Sequence, residues 1–235
     1  MIRHLIALLL GIVAGAAAFL ALLYFNPFTS QNNLSPLSVG SNEVMNLTFS
    51  PVASDSLVYT NNGETRIKPH PEKVLQLWEA SVRRTAAAAT VLYDSRGGMA
   101  GVGVKFSSDS EATRLMNGEA MVESVWHIYL PGRGTLFVEQ NENYWSYLRE
   151  IVIPAYWSSV DSWKGNWHGT ITAGPGVLGL GRVVGGSGEF ADFESSVTES
   201  ITARAYSVAH GPVAADSNLT IELPLRVGQE VVAED

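Results

Sequence analysis

The chain has no cysteine in its 235 residues. That excludes a disulfide framework, a thiolate nucleophile and any Cys-ligated zinc or iron–sulfur site, and it suits an oxidising compartment. Charge is also scarce: 15 Lys and Arg stand against 23 Asp and Glu, for a net charge of -8. Phosphate-backbone binding needs clustered cations, and no basic run stands out, so nucleic acid is not an expected partner. Catalytic signatures are missing too. The chain has no GxSxG, HExxH or EF-hand loop, and Gly179, Gly181 and Gly185 are wrongly spaced for a dinucleotide fingerprint. No metal and no cofactor are expected. No internal repeat at solenoid or propeller spacing is present.

What the chain does have is one long apolar run. Leu5 to Phe25 reads LIALLLGIVAGAAAFLALLYF, 21 residues without a charge. At the rise of an α-helix it spans about 31 Å, near the thickness of a bilayer core. The expectation is an N-terminal transmembrane anchor over residues 1–25. Cleavage as a signal peptide after Ala16-Ala17-Ala18 is the rival, but it would leave the apolar stretch Phe19 to Phe25 as a mature terminus. Arg3 and His4 precede the run and the next basic residue is Arg66. The positive-inside rule then puts the N-terminus in the cytoplasm and the rest outside the inner membrane, in the periplasm. Gly11 and Gly15 form a GxxxG pair, a spacing that lets two such helices approach and suggests a homodimer.

Beyond the anchor, residues 26–42 are polar, contain two prolines and read as a linker. Residues 43–229 make one extracytoplasmic domain, and 230–235 an acidic tail. Glu43 to Tyr59 holds one or two short strands, followed by a turn at Asn61-Asn62-Gly63. Pro71 to Tyr93 is expected to be a helix, because Val74, Leu77, Trp78, Val82, Thr85, Ala86 and Ala89 form one apolar stripe. From Met99 onward the pattern is β. Ala100 to Phe106 is a strand; Glu119 to Leu130 alternates with period two and returns through Pro131-Gly132-Arg133-Gly134 to Thr135–Gln140. Glu142 to Trp157 is ambiguous, with Leu148, Ile151 and Val152 fitting a short helix that Pro154 limits. Further strands are expected over Trp163–Ala173, Gly181–Gly186, Ser196–Val208 and Asn218–Val227. Nine glycines fall between Gly165 and Gly188, a density that favours the bends of a sandwich or barrel.

Val183 to Phe190 reads VVGGSGEF, preceded by Gly165-Asn166-Trp167-His168-Gly169-Thr170 and Leu178-Gly179-Leu180-Gly181-Arg182. This resembles the allene oxide cyclase and dirigent proteins over roughly residues 160 to 205. The resemblance implies a small antiparallel β-barrel with an apolar cavity, and it carries over no catalytic residue. The expected fold is therefore mainly β, a small allene oxide cyclase-like barrel with one packed helix and an N-terminal membrane helix.

Five of the six tryptophans, Trp126, Trp145, Trp157, Trp163 and Trp167, lie in one stretch with Tyr129, Tyr144, Tyr147 and Tyr156. Indole offers a broad apolar face and one donor. The cluster, with Tyr129, reads either as an aromatic core or as a pocket for a hydrophobic molecule or lipid. His127 and His168 are the histidines inside expected strands, and histidine is the natural acid–base residue near neutral pH. Glu119, Glu123 and His127 share a strand face about 13 Å apart at intervals of four, too far for one metal, and read as a solvated face. Three functions stay open. The first is an accessory envelope protein that binds a hydrophobic ligand through the tryptophans. The second is a cofactor-free isomerase or cyclase using His127, His168 or Glu123. The third is a structural subunit of a membrane complex.

Overall fold

A computed structural model of the chain describes residues 2–24, 43–61, 64–65, 85–192 and 194–223. It is mainly β. Helix α1 (Ile2–Tyr24) leads. Strands β1 (Glu43–Phe49), β2 (Val58–Asn61), β3 (Glu64–Thr65), β4 (Thr85–Tyr93), β5 (Met99–Asp109), β6 (Met121–Leu130) and β7 (Gly134–Asn143) follow. A helical segment comes next: α2 (Trp145–Tyr147), a π-helical turn (Leu148–Val152) and α3 (Ile153–Trp157). Strands β8 (Ser162–Thr170), β9 (Thr172–Gly174), β10 (Gly181–Gly188), β11 (Ser195–Ser207) and β12 (Gly211–Leu223) complete the described chain.

The strands pair antiparallel in the order β1, β12, β11, β10, β7, β6, β5, β4, and β4 returns to β1 through one pair, Thr48 opposite Tyr93. The result is a ring of strands with a thin seam. Beyond Phe49 the chain leaves that seam, and β2 takes over the edge of β4 with Val58 opposite Ala89. Across the ring β10 is short. There β8 extends the pairing of β11 and β9 that of β7. Gly188, at φ +66°, lies so close to the β6–β7 turn that a Cβ would meet Arg133 O at 2.4 Å. Close backbone approach, more than chain flexibility, accounts for glycine there.

The expected helix over Pro71–Tyr93 is corrected in its second half. Thr85–Tyr93 is β4, paired with β5 on one side and with β2 on the other. Thr85, Ala86 and Ala89 fit a helical stripe and a strand face equally well, since alanine has little side chain to sort the two. The β-branched pair Thr90-Val91 and the pairing partners decide for strand. Residues 71–84, with Val74, Leu77, Trp78 and Val82, lie outside the described residues, as do the linker at 26–42 and the tail at 230–235. The helical segment that packs on the sheet is instead 145–157. Pro154 cannot donate to the preceding turn, and the ladder widens into the π turn just before it.

Arg3, His4 and residues 6–22 of α1 are exposed. Among the described residues, no helix is long and apolar enough to cross a membrane.

Strand alternation sorts the ring's interior into three layers. The larger apolar layer includes Leu47, Phe49, Leu92, Trp126, Ile128, Leu136, Val138, Val183, Phe190, Val197, Leu219 and Ile221. The smaller one joins Tyr147 and Ile151 of the helical segment to Trp167, Ile171, Ile201, Ala203 and Ala215. Between them runs a polar layer. Along β11 the inward positions read Val197, Glu199, Ile201, and along β12 they read Leu219, Ser217, Ala215.

Candidate ligand-binding site

The polar layer centres on one cation. Lys105 lies on β5 one inward position beyond Gly103. Its Nζ is 2.7 Å from Glu142 Oε1 and 2.8 Å from Glu199 Oε1. Glu142 ends the inward row of β7, after Leu136, Val138 and Gln140, and is fully buried. Glu199, on β11, is 1% exposed. Two buried carboxylates thus face one ammonium.

Neutral donors complete the cluster. Trp126 Nε1 donates to Glu199 Oε2 at 3.2 Å, and Gln140 Nε2 donates to both carboxylates. Ser124 Oγ donates to Glu142 Oε1 at 2.5 Å and Tyr144 OH to Glu142 Oε2 at 2.8 Å. Thr172 Oγ1 donates to Gln140 Oε1 and accepts from the Glu199 backbone N–H. A buried ionic group is tolerated when its remaining lone pairs are satisfied in this way.

A cavity of about 160 Å³ opens onto this cluster from the β1–β4 seam. Phe49, Trp126, Ile201, Ala86 and Ala88 give it apolar walls; Lys105, Glu199, Tyr144 and Ser217 supply polar groups. The Lys105 side chain lines the cavity and keeps 12% exposure. The Trp126 ring packs edge-on to Phe49 at 4.8 Å and lies 5.4 Å from Lys105 Nζ. Gly103 makes room for it, since a Cβ there would stand 2.8 Å from the indole.

Burial raises the Glu199 pKa above 4.5; Lys105 opposes the rise and Glu142 adds to it. Burial works against the Lys105 ammonium, but Glu142 and Glu199 outweigh it and hold its pKa above 10.5. Burial, followed by the charges of Glu142 and Glu199, pushes the Tyr144 hydroxyl well above its usual range, so it stays a donor. Glu199 binds its proton more tightly in the folded chain than in the unfolded one. Its stabilising contribution is complete below pH about 4.5 and is lost as pH rises through its folded value. Lys105 adds a contribution present below about 10.5 and lost as pH climbs above that. Urea unfolding of wild type and Glu199→Gln between pH 4 and 8 is expected to show the wild type losing stability relative to the variant as pH rises. A difference independent of pH would mean that burial does not raise the Glu199 pKa in the folded chain.

The residues singled out from sequence lie elsewhere, with one exception. Glu123, His127 and Tyr129 point outward from β6; His127 stacks on Phe137 at 4.6 Å and Glu123 accepts a hydrogen bond from Ser110. His168 is exposed on β8 with Nδ1 3.0 Å from Thr202 Oγ1. β6 and β8 are not neighbours, so the two histidines are not brought together by pairing. The tryptophans divide. Trp157 is 73% exposed, Trp145 is buried in the helical segment, and Trp163 and Trp167 pack in the smaller apolar layer, with Trp167 Nε1 donating to Glu150. Only Trp126 of the five lines the cavity. Among the described residues, no three His, Asp or Glu side chains are grouped to hold a metal ion.

The site residues that sequence reasoning passed over are Lys105, Gln140, Glu142, Glu199 and Ser217. Their signal was a polar residue on the apolar side of an alternating strand: Lys105 shares a face with Gly101 and Gly103, Glu199 with Val197 and Ile201. No known protein-family model matches this sequence, and no curated protein matches it either.

Proposed function

We propose that the ring is a small antiparallel barrel of the allene oxide cyclase kind, and that it binds a small hydrophobic molecule carrying one polar group. The supporting observation is the cavity at the seam, apolar on its walls and ionic at its floor. Binding sites combine these two features, apolar area for affinity and a few fixed polar groups for orientation. An apolar cavity of about 150 Å³ holds a benzene-sized molecule, which sets the scale of the buried part of the ligand. In this reading the uncharged sequence run Leu5 to Phe25 holds the chain at the inner membrane, where lipophilic molecules concentrate, with the ring on the periplasmic side. Gly11 and Gly15 then offer a homodimer contact.

The test is to purify the full-length protein in mild detergent and identify co-purifying small molecules by mass spectrometry. Ala88→Phe, whose ring enters the cavity from the position on β4 directly opposite Lys105, serves as control. A defined lipophile present in wild type and lost from the folded variant is the expected result. Identical, empty proteins would end the binding reading and favour a structural subunit. A second reading, a cofactor-free isomerase or cyclase, draws on one observation: Glu199 borders the cavity, and burial raises its carboxyl above the usual range. Acid–base work would then fall to Glu199 and not to His127, His168 or Glu123.

A further inference from the structure

The cavity contains a hydroxyl with nothing to bond. Ser217 lies on β12 opposite Phe49 of β1 and Ile201 of β11, and it is 1% exposed. Its Oγ makes no hydrogen bond among the described residues, yet it lines the cavity. A buried polar atom left without a partner costs free energy, and native structures seldom keep one unless a ligand or water completes it. The second fact is the charge of the floor. Glu142 and Glu199 share a single cation, and the other donors around them, Trp126, Gln140, Ser124 and Tyr144, are neutral. With both carboxylates ionised, the cluster carries one more negative charge than positive.

We propose that the cavity takes a small lipophilic amine, bound as its ammonium, with the body against Phe49 and Trp126 and the head between Glu199 and Ser217. This rests on the binding reading above and narrows it to a chemical class. An ammonium supplies the missing charge and donates to both oxygens. The face of an indole adds a favourable surface for a cation. A carboxylate head would be repelled by two buried carboxylates. Like charges brought together at a desolvated site weigh heavily against binding. A neutral alcohol can satisfy Ser217 and contribute a donor, but it leaves the charge uncompensated.

Benzylamine, benzyl alcohol and benzoate share one benzene-sized body and differ in the head. Their binding to the full-length protein in detergent is to be measured by ligand-observed NMR and calorimetry, with detergent alone as blank. Benzylamine is expected to bind best, with benzoate weaker by at least about tenfold and benzyl alcohol between them. Ser217→Ala and Glu199→Gln should each reduce the preference for amine over alcohol, and Ala88→Phe should remove binding of all three. Benzoate or benzyl alcohol binding as well as benzylamine, and still sensitive to Ala88→Phe, would overturn the amine assignment while leaving the cavity as a hydrophobic site. No binding by any probe, or binding indifferent to Ala88→Phe, would overturn the binding reading and the amine assignment with it.

Discussion

Lys105→Met is expected to destabilise the folded chain by about 3–5 kcal/mol at neutral pH, the usual result of removing one member of a buried ionic group. Methionine keeps the length and apolar stem of the lysine, so packing against Trp126 changes little. What disappears is the only cation within hydrogen-bonding reach of Glu142 Oε1 and Glu199 Oε1 among the described residues. Two carboxylates then face each other in a low-dielectric layer, and one of them has to take up a proton. The loss should therefore shrink in acid, where that proton is available, and grow toward alkaline pH. Adding Glu199→Gln to Lys105→Met removes one of the opposed charges. The double variant should recover part of the stability, and the cycle yields the coupling between the two residues. Urea unfolding followed by near-UV circular dichroism at pH 5 and 8 measures all three variants. A loss below about 1 kcal/mol for Lys105→Met would place the cluster among solvated surface ion pairs.

The same residues explain why the sheet could be read from the sequence more readily than the site. Period-two alternation in Glu119–Leu130 separated Trp126, Ile128 and Leu130 from His127 and Tyr129, and the structure buries the first set and exposes the second. Gly-rich turns marked the ends of several strands, though β5, β7 and β12 run further than their apolar cores suggest. Thr85–Tyr93 misled because four consecutive alanines carry no periodicity, so the strands on either side decide their conformation. The site was harder to see because its members come from five strands. Glu142 and Glu199 are 57 positions apart in the sequence, and only ring closure brings both to Lys105. A glutamate inside a strand reads as solvated by default, and that default holds for Glu123 and fails for Glu199. The inward parity of Glu199 with Val197 and Ile201 was the available clue. The tryptophan count misled in another way: density along the chain says nothing about which side of a sheet, or which apolar layer, each ring joins.

Trp126 carries the second large expected effect. It is 1% exposed and fills the space that Gly103 leaves open. Trp126→Ala is expected to cost about 3–5 kcal/mol, as for other large-to-small changes at fully buried aromatic sites. The void would join the existing cavity and remove its wall. Trp126→Phe separates packing from polarity. Phenylalanine retains a ring against Phe49 but has no donor for Glu199 Oε2, which is then left with Gln140 and the ammonium at 2.9 Å. Its expected cost is about 1–3 kcal/mol, the range for a buried acceptor that loses one partner. That component should diminish when Glu199 is protonated, because a neutral carboxyl needs the indole donor less, while the cost of the void in Trp126→Ala persists at every pH. Unfolding curves for both variants at pH 5 and 8 separate the two contributions. Should Trp126→Phe match Trp126→Ala at both pH values, the donor and not the ring would be what the fold relies on. Should Trp126→Phe cost nothing, Glu199 would be satisfied without it, and the indole would serve only as the wall of the cavity.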